Sequence, residues 1–117
     1  MKTASAAMDV NGKSFDLRLA DNETARTFAK LLPLSLPMSE LNGNEKYYYY
    51  LDAPLPSNAE NIGRIEAGDV MLYGDSCIVV FYESHDTTYA YTRIGKVSDP
   101  DALAEAVGTG DAKISFK

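Results

Sequence analysis

The sequence predicts a mainly β fold: a closed antiparallel β-barrel of about eight short strands, capped by two short helices. Three observations carry that expectation. An Asn11-Gly12 pair stands between two short stretches of alternating apolar and polar residues. Turn-forming residues then recur between short β-type runs along the rest of the chain. No stretch has the strand–helix–strand spacing of a parallel unit, and no segment repeats.

The elements follow in order. Asn-Gly favours positive φ at both turn centres, as a two-residue type I′ hairpin requires. Met8 and Val10 flank Asp9 before the turn; Phe15, Leu17 and Leu19 alternate with polar residues after it. Such a turn pairs Val10 with Lys13 and Met8 with Phe15, so the two apolar faces coincide. A helix follows, with Asp21 as its expected N-cap and Ala25, Phe28, Ala29 and Leu32 at helical spacing. Glu23 lies in its first turn, Lys30 in its last, and Pro33 stops it.

Leu34, Leu36 and Met38 alternate as a strand, with an edge or bulge at Pro37, which has no amide to donate. Asn42-Gly43-Asn44 turns the chain into a strand over Lys46–Leu51. Pro54, Pro56, Ser57 and Asn58 read as an exposed loop. Strands are expected again at about 69–73, 77–82 and 92–97, the first two joined by Gly74-Asp75-Ser76. Asp99 caps a second helix with Pro100 at its first position. Leu103 and Val107 face inward, Gly108 ends the helix, and Ile114 and Phe116 belong to a last strand.

A chain of 117 residues makes one domain with one modest core. Residues 1–7 read as an N-terminal arm, a tag or the remnant of a trimmed export signal, and 8–117 as the domain. The 17 acids outnumber the 11 bases, for a net charge of −6, which argues against a nucleic-acid backbone or an anionic membrane as partner. No stretch approaches the roughly eighteen apolar residues of a membrane span. A cytoplasmic protein is expected, with an exported form left open, as monomer or homodimer. The single Cys77 excludes an internal disulfide and a multi-cysteine zinc site, and its apolar strand suits a buried, inert thiol. One histidine and one cysteine fit no usual metal site, and no glycine-rich phosphate loop occurs, so neither metal nor cofactor is expected.

Two further segments carry a resemblance. One is Gly68-Asp-Val-Met-Leu-Tyr with the strand ending Val80-Phe-Tyr-Glu; the other is Ile94-Gly-Lys-Val with Ser-Asp-Pro-Asp-Ala-Leu-Ala-Glu-Ala-Val. Together they resemble the cyclophilin-like barrel, in which a strand ending Gly-Lys-Val leads into a helix that plugs one mouth. The chain from about residue 8 is similar to a bacterial family of small cyclophilin-like proteins of unassigned activity. Likeness to true cyclophilins would imply peptidyl-prolyl isomerase activity. Their Phe-His-Arg-Val strand and Phe-x-x-Gln-Gly-Gly-Asp stretch do not occur here, their loop histidine falls near Tyr91, and tryptophan is absent. Fold alone does not transfer the reaction.

Two clusters remain as candidate chemistry. In the run Tyr47–Tyr50, Tyr48 and Tyr50 share one strand face, either as a stacking platform for a ligand or as ordinary packing. Around the loop that follows the 77–82 strand lie Tyr82, Glu83, His85, Tyr89, Tyr91 and Arg93. His85, the one side chain whose ordinary pKa is near neutrality, has Glu83 and Asp86 beside it in sequence. Ser84, His85 and Asp86 are adjacent and point alternately, so they cannot form a triad unaided. The first reading is a module binding a small molecule or peptide with Tyr48, Tyr50, Tyr82, Glu83, His85, Tyr91 and Arg93. The alternatives are a diverged peptidyl-prolyl isomerase using Arg93, and a small metabolic enzyme with Glu83 and His85 as acid and base.

Overall fold

The computed structural model describes residues 5–49 and 51–117. The hairpin of β1 (Ser5–Val10) and β2 (Lys13–Leu19) forms in the expected register, with Val10 opposite Lys13 and Met8 opposite Phe15. Asn11 and Gly12 both have positive φ, 49° and 82°. β1 takes in Ser5, Ala6 and Ala7, which pair with Arg18, Leu17 and Asp16. The helix α1 (Glu23–Ala29) buries Ala25 and Phe28, and the Phe28 ring meets Phe116 edge-on at 5.3 Å. Its N-cap is Asn22 rather than Asp21: the Asn22 side chain accepts from the Ala25 amide at 2.7 Å. Asp21 instead pairs with Arg26 at 3.1 Å, and Lys30 lies just past the last turn as the C-cap.

β3 (Leu34–Leu41) runs through Pro37 without a break. The geometry explains why. The Glu40 amide points to the side of β3 that faces β11 (Ala112–Phe116), where it meets Asp111. Amide direction alternates along a strand, so the Pro37 nitrogen points to the opposite side, where pairing with β4 (Glu45–Tyr48) begins only at Ser39. β4 stops at Tyr48, short of the expected Leu51; Tyr50 lies outside the described residues.

The second half adds β7 (Asp69–Tyr73), β8 (Cys77–Phe81) and β10 (Ala90–Val97), close to the expected strands. β8 ends at Phe81, one residue short of the expected strand, although the Tyr82 amide still reaches the Asn44 carbonyl at 3.0 Å. Three two-residue strands, β5 (Glu60–Asn61), β6 (Arg64–Ile65) and β9 (His85–Asp86), are too short for any periodicity to reveal. The helix α2 (Pro100–Val107) is capped by Asp99, buries Leu103 and Val107, and ends at Gly108.

Eight antiparallel strands close the barrel in the order β2, β1, β11, β3, β4, β8, β7, β10 and back to β2. Inward side chains from these strands and both helices form one core, including Met8, Leu17, Phe28, Leu72, Ile78, Val80, Ile94, Leu103 and Phe116. A second core lies on the other face of β7, β8 and β10: Ile65, Met71, Cys77, Val79, Phe81 and Tyr91. Hence β7 and β8 are buried on both faces, and β6 and β9 pair with each other beside them. Among the described residues no helix is long and apolar enough to cross a membrane.

The seam between β10 and β2 depends on Gly95. A Cβ there would lie 2.6 Å from the Arg18 carbonyl oxygen and 3.0 Å from Leu17 Cδ1. At Gly74, by contrast, φ is +65° but a Cβ would meet nothing. Gly95→Ala is therefore expected to cost more than about 2 kcal/mol, against about 1 kcal/mol for Gly74→Ala. Urea unfolding of the two variants checks this; equal midpoints would contradict the close approach.

Candidate functional site

The second core opens into a cleft of about 530 Å³ between the β3–β4 turn and the segment from His85 to Tyr91. The strands place its walls by register. Glu45 of β4 stands opposite Phe81 of β8, so its side chain emerges on the outer face beside that ring. The Phe81 ring lies 5.5 Å from His85 and 5.4 Å from Tyr91. Tyr73 continues the row, 5.6 Å from Tyr91 and 6.0 Å from Tyr89. The rings thus form an unbroken wall, from a nearly buried Tyr91 to a Tyr89 that is 60% exposed.

Glu45 is the group on which the electrostatics of the cleft turn. It is 9% exposed, and its carboxylate accepts no hydrogen bond and joins no ion pair among the described residues. Burial raises its pKa above the usual carboxylate range; His85 works against this and Glu40 adds to it. Burial, with the nearby Glu45 charge second, pushes the Tyr91 hydroxyl up to about 12. The Asn44 Oδ1, also in the lining, is buried with no hydrogen-bond partner. His85 Nδ1 lies 3.1 Å from the Glu83 carbonyl, which can only accept, so Nδ1 carries the proton of that bond.

Behind the cleft, on the inner face of β4, lies a fully buried lysine. Lys46 Nζ donates to Glu40 Oε1 at 2.8 Å, to the Gly108 carbonyl at 3.0 Å and to the Gly110 carbonyl. All three ammonium donors are used, two of them on the connection between α2 and β11. The Tyr82 hydroxyl donates to the same Glu40 oxygen at 2.6 Å, and its ring lies 5.2 Å from the ammonium. Burial pushes Glu40 up, but the bonds from Lys46, Tyr82 and the Gly43 amide outweigh it and hold the carboxyl low. Burial and then Glu40 raise the Tyr82 hydroxyl above its ordinary range.

The residues singled out from the sequence are divided by this geometry. His85 and Tyr91 line the cleft. Tyr82 belongs to the Lys46–Glu40 network, and Tyr48 packs against the inner core. The Glu83 side chain is exposed, and only its carbonyl meets His85. The carboxylate in the cleft with His85 is instead Glu45, brought from a distant strand. Arg93 opens onto a separate groove with Glu60, 3.8 Å away, Asn22 and Asn58. Ser84 Oγ accepts from the Ala67 amide at 2.9 Å and Asp86 pairs with Arg64 at 3.1 Å, so neither attends His85. Cys77 is buried, and burial raises its thiol to about 11. No group of three metal-ligating side chains occurs among the described residues.

Glu45, Asn44 and Tyr73 were missed by the sequence reading. One signal pointed towards them: Val70-Met71-Leu72 and Cys77-Ile-Val-Val-Phe81 are continuous apolar runs, and a strand buried on one face alone would alternate. Continuous runs in a barrel wall mean a covered outer face, and the cleft sits at the margin of that cover.

A closed eight-stranded antiparallel barrel with two helices packed into its interior, and a cleft on the outer face of its wall, defines the class of protein. The family model described as "Cyclophilin-like family" matches residues 8–117, and the chain belongs to that family. Among solved structures it is similar to the hypothetical protein AF2241 from Archaeoglobus fulgidus, known from a solution structure. The two share 16% identity at a TM-score of 0.70, covering 98% of this chain and 94% of that one, a likeness of fold. A search of curated proteins found no match.

Two outcomes are expected. Lys46→Met leaves Glu40 and two carbonyls without their buried donor, and should cost about 3–5 kcal/mol. Adding Glu40→Leu should recover part of that loss; urea midpoints of single and double variants measure both. For Glu45 the linkage has the opposite sign to that of a paired acid. Its folded pKa is raised, so its contribution is full below the unfolded pKa and is lost as pH rises through the folded one. Glu45→Gln should therefore gain stability over the parent as pH rises through that window, read by thermal unfolding at stepped pH.

Proposed function

We propose that the protein is a binding module that holds a small molecule or a peptide segment in the outer-face cleft. One observation carries this reading: a cleft of about 530 Å³ whose wall is a row of tyrosine rings and whose lining includes Glu45, a largely buried acid without a partner among the described residues. Ligand sites have this volume and this mixture of apolar wall and few polar groups. A structural carboxylate would be expected to have its hydrogen bonds made; Lys46 of this same strand, paired with Glu40 of β3, shows what a satisfied buried charge looks like. His85 and Tyr91 serve as lining, with Tyr73 and Tyr89 as the more exposed ring faces. Tyr82 acts from behind, fixing β4 through Glu40.

The reading is tested by screening a chemically mixed fragment library against the isotope-labelled protein. Hits are expected to shift the amide resonances of Glu45, Tyr73, Tyr89 and Tyr91 together, and Tyr89→Ala should weaken them at least about threefold, since one ring contact contributes roughly 0.5–1.5 kcal/mol. Hits that gather instead on the Arg93–Glu60 groove would overturn it.

A further inference from the structure

The cleft offers neutral donors, from Asn42, Thr87, Thr88 and its tyrosines, but among the described residues no lysine or arginine to face its carboxylate. The Glu45 side chain is 9% exposed and its carboxylate has no hydrogen-bond or ion-pair partner among the described residues, and the neighbouring Asn44 Oδ1 is buried with no donor among them. The adjacent Lys46 lies on the opposite face of β4 with every proton engaged. His85 spends its Nδ1 proton on the Glu83 carbonyl. Around this acceptor pair stand Tyr73, Tyr89 and Tyr91, whose ring faces attract cations.

From this placement, and resting on the cleft being a ligand site, we infer that the group it takes is a protonated primary amine. Its charge would supply a counter-ion for Glu45, and its N–H protons would give both oxygens of that carboxylate donors. Those protons are the reason for an amine over a quaternary ammonium, which could offer charge to the rings but no donor to the two oxygens. Desolvating the ammonium is offset by the ion pair and the ring faces, while a neutral ligand would leave the buried carboxylate uncompensated. A carboxylate ligand would meet like charge. The amine could come from a free small molecule or from a lysine side chain in a peptide.

The test uses four probes on the full chain, followed by amide shifts: n-butylammonium, tetramethylammonium, the neutral 1-pentanol, and a lysine capped as its N-acetyl methylamide. The two primary amines are expected to shift Asn44, Glu45, Tyr73 and Tyr89 and to bind at least about tenfold more tightly than the alcohol, as one added charged contact implies. Glu45→Gln should abolish that preference, and Glu105→Gln, an exposed change on α2 away from the cleft, should preserve it. Tighter binding by the capped lysine than by butylammonium assigns the amine to a peptide, the reverse to a small molecule. Equal binding of pentanol or tetramethylammonium, or an amine affinity untouched by Glu45→Gln, overturns the ammonium assignment while leaving the cleft a ligand site. If no probe, charged or neutral, and no library fragment shifts the cleft, both readings fall.

Discussion

Closure of the barrel turns on how near the backbones of β2 and β10 can come. The seam has three paired positions, Gly95 with Leu19, Lys96 with Arg18 and Val97 with Leu17, and the first of these leaves no room for a side chain. β10 also has to satisfy β7 on its other edge, and the register slips between Arg93 and Gly95 to allow it. That slip bends the strand into the curve a closed wall requires. Gly68 completes the junction: its amide reaches the Phe81 carbonyl, and its carbonyl takes the Val97 amide, both at 2.8 Å. With the wall closed, inner and outer faces become distinct environments, and every other polar choice in the chain follows from which side a residue faces.

Strand β4 shows this over two adjacent residues. Lys46 faces inward and Glu45 outward, so alternation alone places a cation and an anion on opposite sides of one strand, each buried. The inner charge is surrounded by an acid and two carbonyls, and it ties the connection after α2 to the wall. The outer charge has rings about it and, among the described residues, no hydrogen-bond or ion-pair partner. The two sites are built from the same strand but have opposite requirements: one is complete within the chain and the other is not.

The fold was legible because its determinants are local. Asn11-Gly12, Asn42-Gly43, Gly74 and the Asp99-Pro100 cap each act through backbone geometry that a few neighbouring residues dictate. The Asp21 cap was misread for a local reason too, since Asp21 and Asn22 are both good caps and only the chain's path decides between them. The site was legible only in part. His85 and Tyr91 stood out by residue type near one loop, but their partners Glu45 and Tyr73 come from other strands, and register, which no single segment encodes, brings them together. Glu83 looked like the partner of His85 because it was close in sequence; a turning chain gave His85 its carbonyl instead.

The double burial of β7 and β8 has a consequence for motion. Amides in strands covered on both sides exchange with solvent only when the whole barrel opens, so these two strands should form the slowest-exchanging unit. β6 and β9, held to one another by two residue pairs, belong at the other end of that scale. The cleft thus meets these protected strands at Tyr73, the end of β7 that serves as its floor, and has, at His85 and Asp86, a rim drawn from one of the shortest. A ligand entering it would be read in exchange kinetics at the rim long before it altered anything at the floor.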